Sequence, residues 1–262
     1  MGEVLGIDVS HHNGKIDWAK VAKSGKKFAI LKAQYEAQNH RIDEFFEYNY
    51  SEAGKNGLAR GVYIYIARAS VADPVTDAKM LLEKLKGRKL EYGIWLDMED
   101  KSIKPLGKAG LSKLIYTYTQ LFRAASYYVG IYCNRDWYLN VLDSANLKKD
   151  FDFWIARYPT NDTGAYNPNS SLKPMNYAVA WQYSSKGKVP GITGNTDLNV
   201  DFDGIVYLMA NKASKKTERE IALEVIAGKW GTKDTKPTRK ELLTMAGYNY
   251  DRVQAIVNQL SR

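Results

Sequence analysis

The sequence predicts an α/β fold: an irregular TIM-like (β/α) barrel of eight strands, followed by a small three-helix all-α domain. Three observations carry this reading. Eight short runs rich in Val, Ile, Tyr and Phe are mostly bounded by Gly, Asp or Asn. Helix-period segments separate the earlier runs, and strands alternating with helices imply a mainly parallel sheet. Beyond residue 217, apolar residues recur at helical spacing in three further segments.

The expected strands are Val4–Val9, Phe28–Ala33, Gly61–Ala67, Tyr92–Met98, Tyr128–Cys133, Phe151–Tyr158, Tyr177–Tyr183 and Phe202–Leu208. Expected helices lie between them. Ile16–Lys23 opens beside Asp17, and Asp43–Asn56 stops at Gly57. Asp73–Leu85 has Pro74 in its first turn and Asp73 as N-cap. Lys108–Ser126 carries Leu111, Leu114, Ile115, Tyr118, Leu121 and Phe122 on one face. The stretch Thr160–Pro174, rich in Asn, Pro, Ser and Gly, reads as loop, so the last part of the barrel should be poor in helix.

The polar, basic run Asn211–Thr217 reads as a linker. After it, Glu218–Ile226, Arg239–Met245 and Asp251–Leu260 read as three short helices. The expected division is therefore residues 1–210, a linker over 211–217, and residues 218–262. About 45 residues is marginal for independent folding, so the small core must be compact.

The formal net charge is +9. From Asn211 to Arg262 there are 11 basic and 6 acidic residues, against 27 and 23 in the 210 before, so the tail is the more basic part. A basic patch suits an anionic partner, but the cations are dispersed and no nucleic-acid recognition motif is present. Nucleic acid is therefore not an expected partner. No run reaches the roughly 18 apolar residues of a membrane span, so no stable membrane association is expected. The N-terminus lacks the charged and apolar regions of a signal peptide, which reads as a chain first kept in the cytoplasm. The single cysteine, Cys133, sits in an apolar run and reads as a core residue. The histidines are the adjacent His11 and His12 and the distant His40; no His-x-x-x-His spacing is present, and polar loop roles for His11 and His12 are favoured over metal binding.

In such a barrel the C-terminal strand ends face the mouth. Strand one ends in Asp8, and strand four in Asp97-Met98-Glu99-Asp100. Asp197 and Asp201 precede the expected eighth strand. Positions i and i+2 of a strand share a side, which brings Asp97 and Glu99 together. Two adjacent carboxylates repel unless one holds a proton. A carboxyl kept protonated near neutral pH is what cleavage of a glycosidic bond requires. The plain alternative is a set of salt bridges or a helix cap. The 19 Tyr and 6 Trp also suit a sugar ligand, although aromatics commonly pack in cores.

These residues resemble glycoside hydrolase family 25. The resemblance is carried by Gly6-Ile-Asp-Val-Ser-His-His-Asn-Gly14 with Ile16-Asp-Trp18, by Phe28-Ala-Ile-Leu-Lys-Ala33 and by Gly61-Val-Tyr63. Leu96-Asp-Met-Glu99, Gly130-Ile-Tyr132, Trp154-Ile-Ala156 with Tyr158, Trp181-Gln-Tyr183, and Asp197 with Asn199 continue it in order. The resemblance implies an N-acetylmuramidase, hydrolysing the β-1,4 bond between N-acetylmuramic acid and N-acetylglucosamine in bacterial peptidoglycan. It implies Glu99 as general acid/base, Asp97 as its partner, and Asp8 and Asp197 as the rest of an acidic cluster. Retention of configuration is implied, with no metal or organic cofactor. Tyr63, Tyr65, Tyr132, Trp154, Tyr158, Trp181 and Gln182 are the candidate sugar contacts. Two departures stand out: Lys32-Ala-Gln-Tyr-Glu36 replaces Lys-Ala-Thr-Glu-Gly, and Tyr63-Ile-Tyr65 replaces Tyr-His-Phe. The first leaves the role of Glu36 open.

The tail is similar to the CW_7-type cell-wall-binding repeat, on Glu224-Val-Ile-Ala-Gly-Lys-Trp-Gly231, Ala246-Gly-Tyr-Asn-Tyr-Asp251 and Val253-Gln-Ala-Ile-Val-Asn258. That resemblance implies binding of the muropeptide part of peptidoglycan, with Arg239, Gln254 and Trp230 as candidate contacts. Such repeats often come in tandem; here one copy is present, and a homo-oligomer would supply the missing avidity. Together the two resemblances imply a phage-type endolysin that depends on a holin to reach the wall. The competing reading is a barrel without activity that only targets the wall, against which the Asp97/Glu99 pair argues.

Overall fold

A computed structural model describes residues 2–35, 41–202 and 216–261. Eight strands close into one barrel: β1 (Val4–Val9), β2 (Phe28–Tyr35), β3 (Ala59–Tyr65), β4 (Ile94–Asp97), β5 (Val129–Asn134), β6 (Phe153–Ala156), β7 (Ala180–Gly187) and β8 (Thr196–Asp201). Neighbouring strands from β1 to β7 are parallel. β8 runs antiparallel to both β7 and β1. Only eight residues separate β7 from β8, too few for a crossover, so the chain reverses direction.

This corrects the eighth strand. It was expected at Phe202–Leu208, and the barrel instead closes on Thr196–Asp201. Residues 203–208 lie outside the described part, as do residues 211–215 of the expected linker, Glu36 and His40. The closing strand alternates Asp197, Asn199 and Asp201 with Leu198 and Val200. Its inward-facing residues are all polar, so it carries little of the apolar density by which strands are found.

Among the described residues, six α-helices surround the barrel: α1 (Trp18–Lys23), α2 (Phe46–Lys55), α3 (Arg68–Ala72), α4 (Pro74–Leu85), α5 (Gly107–Ala124) and the short α6 (Ser144–Leu147). Asp73 caps α4, its carboxylate accepting the Thr76 N–H at 3.0 Å. Between β6 and β7 the described chain is turns and bends without a helix, so Thr160–Pro174 is loop.

Strand alternation divides the apolar residues into two layers. Ile7, Leu31, Val62, Leu96, Ile131, Ile155 and Val200 face the helices. Phe28, Tyr92, Trp95, Tyr128, Tyr132 and Trp154 fill the barrel itself. Glycine makes room for these rings. A Cβ on Gly130 would lie 2.3 Å from the Trp95 ring, and one on Gly6 2.5 Å from Phe28. Large beside small is how a narrow barrel interior fills without voids. Cys133 is buried in the outer layer, in keeping with a packing role.

Beyond the barrel come α7 (Glu218–Ile226), α8 (Arg239–Met245) and α9 (Tyr250–Leu260). Thr217 with Glu220, and Thr238 with Glu241, form capping boxes that start α7 and α8. Ile221, Val225, Trp230, Leu242, Leu243, Val253 and Val257 make a separate small core. This bundle rests on α5: Gln120 donates to the Lys229 carbonyl, and the Lys229 ammonium pairs with Asp150.

Candidate active site

The inward positions toward the C-terminal ends of β1 to β7, and toward the N-terminal end of the antiparallel β8, collect the polar residues. Asp8 is the last but one residue of β1, Lys32 and Tyr63 stand on β2 and β3, Asp97 ends β4, and Asn134 ends β5. Gln182 stands on β7, and Asp197 and Asn199 on β8. Asp8 lies directly opposite Asp197 across the β1–β8 ladder. Asp97 is flanked by Tyr65 on one side and Tyr132 on the other. Met98, next along, is fully buried in the outer layer, and its N–H still donates to the Tyr132 carbonyl at 2.9 Å. The extended chain therefore continues past β4 and returns Glu99 to the side of Asp97.

A hydrogen-bonded chain fixes the floor of this mouth. One oxygen of Asp8 accepts from the Gln182 amide at 2.8 Å and from the Asn199 amide at 2.7 Å. The Gln182 carbonyl in turn accepts from the hydroxyls of Tyr132, at 2.9 Å, and Tyr158. The Asn199 carbonyl accepts from the Trp154 indole at 2.9 Å. Such buried chains orient every member when every member is satisfied.

Charge in the mouth is strained. Burial is the largest cause that pushes the Asp97 carboxyl well above the usual range; Glu99 adds to it and Lys32 opposes it. One Asp97 oxygen is buried without a hydrogen-bond partner. Burial also raises Glu99, against the amide of Asn134, which donates to it at 3.3 Å. Burial and the neighbouring Asp197 carry Asp8 upward. Asp197 is pushed up to about 6 by burial, Glu99 and Asp162. Four acids in one low-dielectric mouth do not all ionise near neutrality, so the cluster retains protons there. Lys32 brings a positive charge to this ring, 5.8 Å from the Tyr63 ring centre and 5.1 Å from that of Tyr65.

The structure gathers Asp8, Asp97, Glu99, Asp197, Tyr63, Tyr65, Tyr132, Tyr158 and Gln182 around the mouth. Tyr65 donates to Asp100 at 2.7 Å on the rim. It does not bring Trp154 or Trp181 there as open surfaces. Trp154 is buried beneath the mouth, 4.4 Å from the Tyr132 ring and 5.8 Å from that of Trp95, where it holds Asn199. Trp181 has the outward parity of β7; it packs with Tyr166 and Tyr183 and donates to the Arg157 carbonyl at 2.8 Å. Among the candidate rings, Tyr158 is the most open, at 39 % exposure. Tyr158→Ala is therefore expected to raise KM on wall fragments roughly two- to tenfold, from loss of one aromatic contact. Trp181→Phe is expected to leave KM unchanged and to lower Tm. Steady-state kinetics with melting curves on both variants checks this; a KM effect confined to Trp181 would reverse the assignment.

Lys32, Asn134, Asn199 and Asp162 were not among the candidate site residues. The inward parity of β2 and β5 was the signal for the first two, and the family motif already contained Asn199. Asp162 lies in the loop after β6. It accepts from the Ser184 hydroxyl at 2.6 Å and the Ser185 N–H at 2.9 Å, a link with no local sequence signature.

Residues 7–192 match the family described as Glycosyl hydrolases family 25. The chain belongs to this family, and is a glycoside hydrolase. Residues 219–260 match the CW_7 repeat. The chain is 30% identical over 210 residues to Lysozyme M1 of Streptomyces globisporus, covering 77% of this chain and 68% of that one. It is 31% identical over 214 residues to the uncharacterized protein YegX of Escherichia coli O157:H7, covering 77% of this chain and 70% of YegX. Among solved structures, the bacterial lysozyme from Streptomyces coelicolor superposes with a TM-score of 0.64 at 27% identity, over 81% of this chain and 99% of that one.

In the CW_7 repeat, Arg239 and Gln254 are neighbours, with the guanidinium donating to the Gly231 carbonyl at 2.9 Å and to the Gln254 carbonyl at 3.5 Å. Trp230, the third expected wall contact, is instead a core residue: it is 2 % exposed and its indole donates to Glu224 at 3.0 Å. No helix among the described residues is long and apolar enough to cross a membrane.

Proposed function

We propose that this glycoside hydrolase is a muramidase that cuts the β-1,4 bond between N-acetylmuramic acid and N-acetylglucosamine in peptidoglycan. The observation that carries the reading is the pair Asp97 and Glu99, side by side at the barrel mouth with both carboxyls held above their usual range. Glu99, partly open to solvent, protonates the leaving glycosidic oxygen. Asp97, buried with one oxygen unpartnered, faces the positive charge that develops on the sugar or steadies its 2-acetamido group. Asp8 and Asp197 complete the acidic lining; water then adds to the sugar carbon on the face the leaving oxygen left and gives its proton back to Glu99, so that the configuration is retained.

Residues 1–210 form the catalytic part, 211–217 the linker and 218–262 the wall-binding part in this reading. Arg239 and Gln254 are its wall contacts. Pairing a hydrolytic barrel with a wall-binding repeat suits an endolysin, kept in the cytoplasm of the host bacterium until a holin opens the membrane. Mass spectrometry of fragments released from purified walls tests the bond. Products ending in reducing N-acetylmuramic acid are expected; reducing N-acetylglucosamine ends, or free peptides with intact glycan, would reject it.

A further inference from the structure

We propose that Tyr65 and Asp100 are positioning residues for Glu99, bracing the turn on which it stands, a step that rests on the reading of Glu99 as the proton donor. Beyond β4 the ladder runs out. Met98 donates to the Tyr132 carbonyl at 2.9 Å; among the described residues, the next N–H along the chain to bond a carbonyl is that of Ile103, to Asp100 at 3.2 Å. Glu99 lies between these two anchors. The Asp100 side chain holds the gap: one oxygen accepts the Ser102 N–H at 2.7 Å and the other the Tyr65 hydroxyl at 2.7 Å. Tyr65 is itself fixed on β3, opposite Asp97 in the β3–β4 ladder. Its bond to Asp100 therefore ties the turn back to the neighbouring strand. From the other side Glu99 meets Asn134, whose carbonyl accepts the Trp137 N–H at 3.1 Å, and this turns the Asn134 amide N–H toward Glu99 at 3.3 Å. The Tyr65 hydroxyl is one of the departures of this chain from the family motif.

The brace also carries charge. Burial pushes the Asp100 carboxyl up, but its donors Ser102 and Tyr65 outweigh burial and hold it below the usual range, so it stays ionised. Burial raises Glu99 against the Asn134 amide, and the Asp100 charge adds to the rise. With Asp100 beside it, Glu99 keeps its proton to higher pH. The other titratable or charged groups around Glu99 are Asp97 of β4, Asp8 of β1, Lys32 of β2, Tyr65 of β3, Tyr132 and Cys133 of β5, Tyr158 after β6 and Asp197 of β8. Asp100→Asn leaves all of these in place.

Two variants of the full chain separate position from charge, with melting curves to show that both are folded. Tyr65→Phe removes one hydroxyl. Its kcat on soluble glycan chains prepared from walls is expected to fall roughly three- to tenfold, the usual worth of one hydrogen bond, with KM within about twofold of wild type. Asp100→Asn keeps an acceptor for the Ser102 N–H and removes the charge. Carbon-13 NMR of the glutamate carboxyls, with Glu99 assigned from Glu99→Gln, is expected to show the Glu99 titration midpoint about half a unit to one unit lower in this variant. An unchanged kcat in Tyr65→Phe, a raised KM with kcat kept, or a Glu99 midpoint that Asp100→Asn leaves in place would overturn the proposal. The titration involves no hydrolysis. A midpoint that moves in a chain that leaves walls uncut would sink the muramidase reading alone.

Discussion

Glu99→Gln is expected to lower the rate of wall clearing on the order of 100- to 10,000-fold, the usual contribution of a positioned general acid. The substitution keeps the side-chain shape and one oxygen for the Asn134 amide, now 3.3 Å from Glu99. In the proposed mechanism it removes only the proton that the leaving oxygen needs. Melting temperature should stay level or rise, because a buried like charge beside Asp97 has gone. The pH profile gives a second check. A raised carboxyl keeps its proton into mildly acidic solution and loses it as pH rises through its elevated value. Wild-type activity should therefore fall on the alkaline side of that value, and the residual activity of Glu99→Gln should lack this limb. Turbidity clearing across pH 4 to 9 measures both, and undiminished lysis by the variant would remove Glu99 from the reaction.

How far the site could be read in advance depends on strand parity. Asp8, Asp97 and Glu99 follow apolar runs, so their place at strand ends was visible from the run before each. β8 was not visible, because its inward residues Asp197, Asn199 and Asp201 are all polar and only Leu198 and Val200 remain to mark it. The same parity explains the aromatic misassignments. Trp181 and Gln182 are adjacent in sequence, so a strand must send them to opposite faces, and the hydrogen bond of Gln182 to Asp8 fixes which one enters the mouth. Trp230 lies at a position where periodicity cannot separate a binding ring from a packing one; only the contact with Tyr248, ring centres 6.0 Å apart, and the closed small core decide it. The helices of the tail were readable to within a residue from their apolar spacing, and the capping boxes of Thr217 and Thr238 fix where the first two begin.

Asp197→Asn is expected to make the protein more stable at neutral pH while it lowers activity. In the folded chain this carboxyl sits near 6 instead of 3.8, from burial first and then from Glu99 and Asp162. A raised value in the folded state means that folding favours the protonated form. Its ionisation therefore opposes folding, not at all below the usual carboxylate range, increasingly between about pH 4 and 6, and fully above that. A difference of about two units corresponds to at most roughly 3 kcal/mol. Asparagine does not titrate, so its advantage should be near zero at pH 3.5 and reach its plateau above pH 7. Urea unfolding of both proteins at these two pH values measures the difference directly. A gain of equal size at both, or a loss at pH 7.5, would mean that shape and hydrogen bonding at this position outweigh its charge. The opposite signs expected for stability and activity have one cause: Asp197 is buried among other acids at the mouth, where its charge is costly to the fold. In the proposed mechanism the sugar cation draws on negative charge at that spot, so the variant should lose hydrolysis in the same pH range where it gains stability.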